Sequence, residues 1–322
     1  MTGIENETKS NELMMDLSKF LNTHDQNPND SLFHYTSYEG LSGILKTRQF
    51  WLTDHKHLND PSEIQHGKKI ILKFIREHLQ NNPEVLKHFL YRILDIIDNA
   101  YVCFTISFCE KGDYLPAWRY YGGDGAGFSI GFKKEYFFPK TPSSLQEEEN
   151  VLLFFKVEYE ENDSDLIRRI FGRINKIHPN WTQKNYNEIN GFLTAITCNI
   201  ITILPCIKNI DYKDEHEWRL CVTRLYSKKS DTWIPSSLPK DRLFISRRNL
   251  SFVPPFLKNL NREIPRFKSQ EFSYKDIDCI YVGPRLDFDA AKLAIEKILL
   301  ESGATQEECN NICIKKSDRA YQ

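Results

Sequence analysis

The chain has 322 residues, 40% of them hydrophobic and 27% charged, with a formal net charge of −1, a balance that fits a globular protein and gives no general pull toward nucleic acid or an anionic membrane. No apolar run approaches the ~20 residues of a bilayer span, and the most apolar stretch, Ile200 to Ile207, is interrupted by Thr202 and Pro205. Residues 1–10 lack the basic and apolar regions of a secretory signal, and most of the eight cysteines sit in apolar runs with no Cys-x-x-Cys pair, so a cytoplasmic protein with reduced thiols and no zinc site is expected.

Residues 1–30 read as a polar extension with a short amphipathic helix over Glu12 to Leu21, where Leu13, Leu17, Phe20 and Leu21 share a face. Ser31 to Thr36 reads as a strand. Ser37 is placed to cap a helix over Tyr38 to Thr47, with Leu41, Ile44 and Leu45 inward. A short strand over Gln49 to Thr53 leads into a polar loop, His55 to Glu63. Ser62 or Asp60 then caps a helix that runs to about Gln80, and Pro83 opens a second to Ile97. The β-branched and aromatic run Tyr101 to Phe108 predicts a strand. Asp113 to Tyr121 reads as a short helix or ordered loop, and residues 122–127, GGDGAG, as a turn. A strand follows over Gly127 to Phe132, with Val151 to Tyr159 as its expected partner. Residues 163–204 read as helical with a break at Pro179, Arg219 to Leu225 as a strand, and 228–270 as a loop-rich, basic stretch. Ile277 to Val282 is a strand ending in Gly283-Pro284, Phe288 to Ser302 an amphipathic helix, and Ile312 to Lys315 an edge strand. Together these predict one α+β domain over 31–322, an irregular, mostly antiparallel sheet with a helical insertion near 160–204.

Three strings carry candidate chemistry. Phe33-His34-Tyr35-Thr36 sets a histidine on a strand running into a helix N-terminus. Ser107 to Tyr121 gathers Trp118, Tyr120 and Tyr121, which serve equally as a packed cluster or as a platform that stacks a planar ring. Asp214-Glu215-His216-Glu217-Trp218-Arg219 places a carboxylate at the mouth of a strand. There it either joins a salt-bridge network or stabilises an oxocarbenium-like centre, as in glycosyl transfer. The GGDGAG turn lacks the order and the Lys-Ser/Thr of a phosphate loop. The His55, His57, Asp60, Glu63 and His66 cluster fits no zinc spacing.

These strings resemble the DUF2971 family of uncharacterised bacterial proteins. The matching residues are Phe33-His34-Tyr35-Thr36 with Leu41 and Ile44-Leu45, Trp51-Leu52-Thr53, and Leu58-Asn59-Asp60-Pro61-Ser62-Glu63. Ser107-Phe108-Cys109, Leu115, Trp118, Tyr120-Tyr121, Gly127 to Phe132, Glu217 to Leu220, Val282-Gly283-Pro284 and Lys316-Ser317 follow. More distantly, the motif order is similar to ADP-ribosyltransferases of the His–aromatic–Glu type. That resemblance implies their sheet core, NAD as co-substrate with no metal, and transfer to a macromolecular acceptor, with toxins and phage-defence effectors among the roles. It implies Glu217 and His34 as catalytic residues, and His34, Tyr35, Thr36, Ser107, Trp118, Tyr120, Tyr121 and Arg219 around the NAD. The family's Ser-x-Ser element appears here as Ser107-Phe108-Cys109, with cysteine in the third place. Two alternatives stay open: a nucleotide-binding or sensor module without turnover, and a nucleic-acid-acting effector using Arg242, Arg247, Arg248, Lys258, Arg262, Arg266 and Lys268.

Overall fold

The computed structural model describes residues 31–58, 63–99, 101–137, 152–227, 232–234, 243–247, 263–269 and 271–320, with scattered positions between 8 and 20. In chain order, β1 (Ser31–Thr36) leads into α1 (Tyr38–Thr47), and the Ser37 hydroxyl accepts from the Gly40 N–H as its cap. β2 (Trp51–Asp54) precedes α2 (Glu63–His78), α3 (Pro83–Asn99) and β3 (Tyr101–Cys109). Next come α4 (Leu115–Tyr120), β4 (Phe128–Lys133), α5 (Lys134–Phe137), β5 (Leu152–Lys156), β6 (Glu158–Glu160), α6 (Asp165–Ile177) and α7 (Tyr186–Thr202). β7 (Ile207–Asn209), β8 (Glu217–Ser227), β9 (Thr232–Ile234), β10 (Leu243–Arg247), β11 (Glu263–Lys268) and β12 (Ile277–Val282) follow. The chain closes with α8 (Phe288–Glu301), α9 (Gln306–Asn311) and β13 (Cys313–Lys316).

The fold is mixed α/β with a mostly antiparallel sheet. Among the described residues eleven strands form one sheet, and β6 and β7 form a separate parallel pair. Within the large sheet only β12 and β13 run parallel. Side-chain alternation divides the sheet between two cores. Tyr101, Cys103, Phe155 and Cys221 face a layer built from α2, α3, α6 and α7. Phe104, Ile106, Phe108, Phe154, Trp218 and Leu220 face the opposite way, toward α1 and α8.

β3 organises the centre. One of its edges is paired with β8 along its whole length, from Tyr101↔Leu225 to Cys109↔Glu217. Its other edge is shared: β2 pairs with Phe104 and Thr105, while β1 pairs only with Cys109. Residues 106–108 of that edge therefore face a gap where β1 and β2 part.

Several expectations are corrected. The run 152–156 pairs with β8, and β4 lies instead between β1 and β12. Both arrangements satisfy strand periodicity, and only competition for edges decides between them. The stretch 228–270, expected as loop, contains β9, β10 and β11, with β10 and β11 extending the sheet beyond β2. Helices α6 and α7, read as an insertion near 160–204, share a core layer with α2 and α3. At the described positions of the N-terminal extension, Leu13 and Phe20 are buried in the same core, and Arg173 donates to both oxygens of Asp16 at 3.0 Å. Finally, Tyr186–Cys206 has the length and apolarity of a membrane span, contrary to the run-length reading, and 67% of its most apolar window is buried inside the protein. The helix caps proposed at Asp60 and Ser62, the acid-rich loop at 139–150 and the side chains of the basic stretch lie outside the described residues.

Candidate functional site

Glu217 is held from every side. A 3-10 helix, Ile210–Glu215, ends on His216 in the left-handed region (φ 48°, ψ 48°), an unusual conformation for a non-glycine residue. That bend starts β8 at Glu217. The Glu217 N–H donates to the Tyr159 hydroxyl at 2.8 Å, and its carbonyl accepts from the Val157 N–H at 3.0 Å. The residue is 5% exposed. Arg219 Nε donates to one carboxylate oxygen at 2.6 Å and its terminal nitrogen to the other at 2.9 Å, while Lys208 Nζ lies 3.2 Å from the second. The Ser107 hydroxyl adds a further hydrogen bond. Burial by itself would raise this carboxyl, but Arg219 and Lys208 reverse the shift and hold it down at about 2. Lys208 is shared with Glu215, which also accepts from the Tyr121 hydroxyl at 2.6 Å. Burial and the neighbouring Glu217 raise Glu215, against the pull of Lys208. Arg219 further donates to the Pro205 carbonyl at 3.1 Å. Two carboxylates and two cations thus form a neutral, buried network.

His34 sits at the gap beside β3. Its Nδ1 lies 2.9 Å from the Ser107 carbonyl, so Nδ1–H is the donor and Nε2 is left as the acceptor of the neutral ring. Burial lowers its pKa, opposed by that hydrogen bond, which keeps the ring neutral near pH 7. The ring packs beside Phe108, on the α1/α8 side, whereas Glu217 shares the register and face of Cys109 and Ser107. His34 and Glu217 are therefore linked through one residue: Ser107 gives its carbonyl to His34 and its hydroxyl to Glu217. Ser107 is exposed although Ile106 and Phe108 beside it are buried, because alternation turns its side chain to the face opposite theirs.

The aromatics separate into two groups. Trp118 is fully buried, edge-on to Tyr35 with ring centroids 4.8 Å apart, and its indole N–H donates to Asp113 at 2.7 Å. Tyr35 is buried with it; its hydroxyl donates to the Lys111 carbonyl and accepts from the Tyr114 N–H. These two rings are core and present no face to a ligand, which corrects the platform expected of Trp118. Tyr120 and Tyr121 are exposed, at 74% and 40%, and Tyr121 is the one tied to the Glu217 network. Thr36, the last residue of β1, pairs with Phe128 and abuts Gly40 of α1. His55 and His57 lie beside Asp54, and His66 turns away to the Glu160 carbonyl.

Sequence reasoning placed Glu215 in the charged string but missed Lys208, Tyr159 and Lys111. Lys111 Nζ lies 2.8 Å from His216 Nε2 and 4.3 Å from the Tyr114 ring centroid. For Lys208 a signal did exist: a lone lysine directly after the apolar run to Ile207 has to find an anion if it is buried.

The fold and site define a mixed α/β protein whose sheet carries a buried, ion-paired glutamate beside a gap between strands. The family described as "Protein of unknown function (DUF2971)" matches residues 117–220, from α4 to the start of β8. The match takes in Trp118, Lys208, Glu217 and Arg219. No curated protein and no solved structure matches the chain.

Proposed function

We propose that this chain is an NAD-dependent ADP-ribosyltransferase acting on a macromolecular acceptor. The reading rests on one observation above the others: beside the gap between β1 and β2, Ser107 links His34 on one face of the sheet to Glu217 on the other. An ionised carboxylate held there stabilises positive charge as the bond between ribose and nicotinamide breaks. A neutral His34 offers Nε2 to a ribose hydroxyl, and the exposed rings of Tyr120 and Tyr121 are available for stacking. The motif order described above supplies the analogy to the His–aromatic–Glu enzymes.

One observation favours a second reading, a nucleotide-binding module without turnover. A carboxylate offers about four acceptor positions, and Arg219, Lys208 and Ser107 already occupy those of Glu217. A ribose hydroxyl has to displace one of them.

Calorimetric titration with NAD, with released nicotinamide followed in the same samples, separates these readings. Under the first, wild type binds and releases nicotinamide, His34→Ala weakens binding by roughly tenfold, the effect of one lost hydrogen bond, and Glu217→Gln binds without release. Binding without release by the wild type selects the second reading. No binding at millimolar NAD removes both.

A further inference from the structure

β12 and β13 place two cysteines side by side. Cys279 and Cys313 are register partners on parallel neighbouring strands, so their side chains leave the same face of the sheet and their Cα atoms are separated by the interstrand spacing of about 4.8 Å. That spacing lies inside the ~4.4–6.8 Å range of disulfides. The next pair along, Tyr281 and Lys315, verifies the shared face: the Lys315 ammonium stands 5.3 Å from the centre of the Tyr281 ring. Lys315 also reaches the Cys279 sulfur in a hydrogen bond. Cys279 is 1% exposed and rests against Gly131 of β4, whereas Cys313 is exposed. β13 ends the sheet, which leaves Cys313 open to a reagent and lets the strand shift slightly as the sulfurs approach.

We propose that Cys279 and Cys313 are a thiol-modification site that takes a low-molecular-weight disulfide and closes to an intramolecular disulfide. The Cys313 thiolate attacks one sulfur of the reagent and expels the first small thiolate, forming a mixed disulfide. A rotation about χ1 turns the Cys279 sulfur from Gly131 toward Cys313. Its thiolate then attacks the Cys313 sulfur and expels the second small thiolate. The two protons released by the cysteines end on the two small thiols, so one protein disulfide forms as one reagent disulfide is reduced. Burial pushes the Cys279 thiol up to about 12, with Asp278 adding to the shift and Lys315 opposing it. The exposed Cys313 therefore reacts first, and closure quickens as pH rises.

The bond has a consequence beyond β13. Immediately after that strand, the Ser317 hydroxyl and the Asp318 N–H donate to the Asp113 carboxylate, which also accepts from the Trp118 indole. Oxidation thus fastens the strand that leads into these contacts with Asp113.

The test treats the folded full-length protein with oxidised glutathione at pH 8, blocks free thiols with an alkylating reagent and maps peptides by mass spectrometry without reduction. The expected result is a Cys279–Cys313 linked pair as the main disulfide, lost in Cys313→Ser, while Cys279→Ser keeps glutathione on Cys313. Because Cys313 is exposed, its serine variant retains the fold, which circular dichroism checks. A wild type that holds glutathione on Cys313 with Cys279 alkylated, that leaves both thiols alkylated, or that joins a different pair overturns the proposal.

Discussion

Replacing Lys208 by Met tests the ion network most directly. Lys208 is 3% exposed and is the cation shared by Glu215 and Glu217. Its loss leaves the buried Glu217 and the half-buried Glu215 against the single guanidinium of Arg219. Removing one partner of a buried pair costs about 3–5 kcal/mol, and the retained contacts from Arg219 to Glu217 put the value near the lower limit, about 3 kcal/mol at pH 7.5. The cost depends on pH in a known sense. The surplus negative charge is relieved when Glu215 binds a proton, and its carboxyl is already raised by burial and by Glu217. Stability of the variant relative to wild type therefore improves as pH falls, and the cost at about pH 5 is smaller than at pH 7.5. Adding Glu215→Gln restores the charge balance and recovers at least about 1.5 kcal/mol at pH 7.5. Guanidinium unfolding followed by tryptophan fluorescence suits the measurement, since Trp118, Trp181 and Trp218 are all buried. A cost below about 1 kcal/mol at both pH values, or a double variant no more stable than the single one, refutes the network as described.

Three further outcomes follow from the same structure. The Glu217 carboxyl, held at about 2, contributes stability that is complete above its unfolded pKa near 4.5 and is lost as pH falls from there to about 2; the contribution is of order 3 kcal/mol. Acid titration of unfolding shows that loss in wild type and a reduced one in Glu217→Gln. Trp118→Ala empties a core site and lowers stability by about 3–5 kcal/mol, whereas Tyr120→Ala, at an exposed ring, changes it by less than about 0.5 kcal/mol; thermal unfolding compares them. Gly127→Ala sets a Cβ 2.4 Å from the Thr36 carbonyl and 2.7 Å from that of Gly122, both backbone atoms that cannot swing aside. Its melting temperature falls by several degrees, the response to a loss of about 2 kcal/mol, and an unchanged value contradicts the close approach of that turn to β1.

What the sequence determined by itself is local. The span and cap of α1 were legible because Ser37 and the spacing of Leu41, Ile44 and Leu45 act within one helix. Likewise β1, β3, β12 and the helix pair α6 and α7 carry their periodicity and their breaks, at Pro179 and Gly283, in adjacent residues. The DUF2971 resemblance was legible for a similar reason: it was carried by short strings such as Glu217-Trp218-Arg219-Leu220, which lie within the matched residues 117–220. Everything that depends on which element meets which was left to the tertiary structure. β5 went to β8 because that edge was free and both flanks of β4 were taken. Trp118 and Tyr120 stand two residues apart and looked equivalent, yet one is sealed over Tyr35 and the other lies in solvent. Lys208, nine residues before Glu217, lies on β7, which pairs with β6 and not with β8, yet the fold brings its ammonium to the Glu217 carboxylate. The gap at Ser107 exists because β1 and β2 divide one edge of β3 between them. Pairing and burial are decided by competition among distant segments for the same edges and the same apolar volume, and no window of sequence contains all of the competitors.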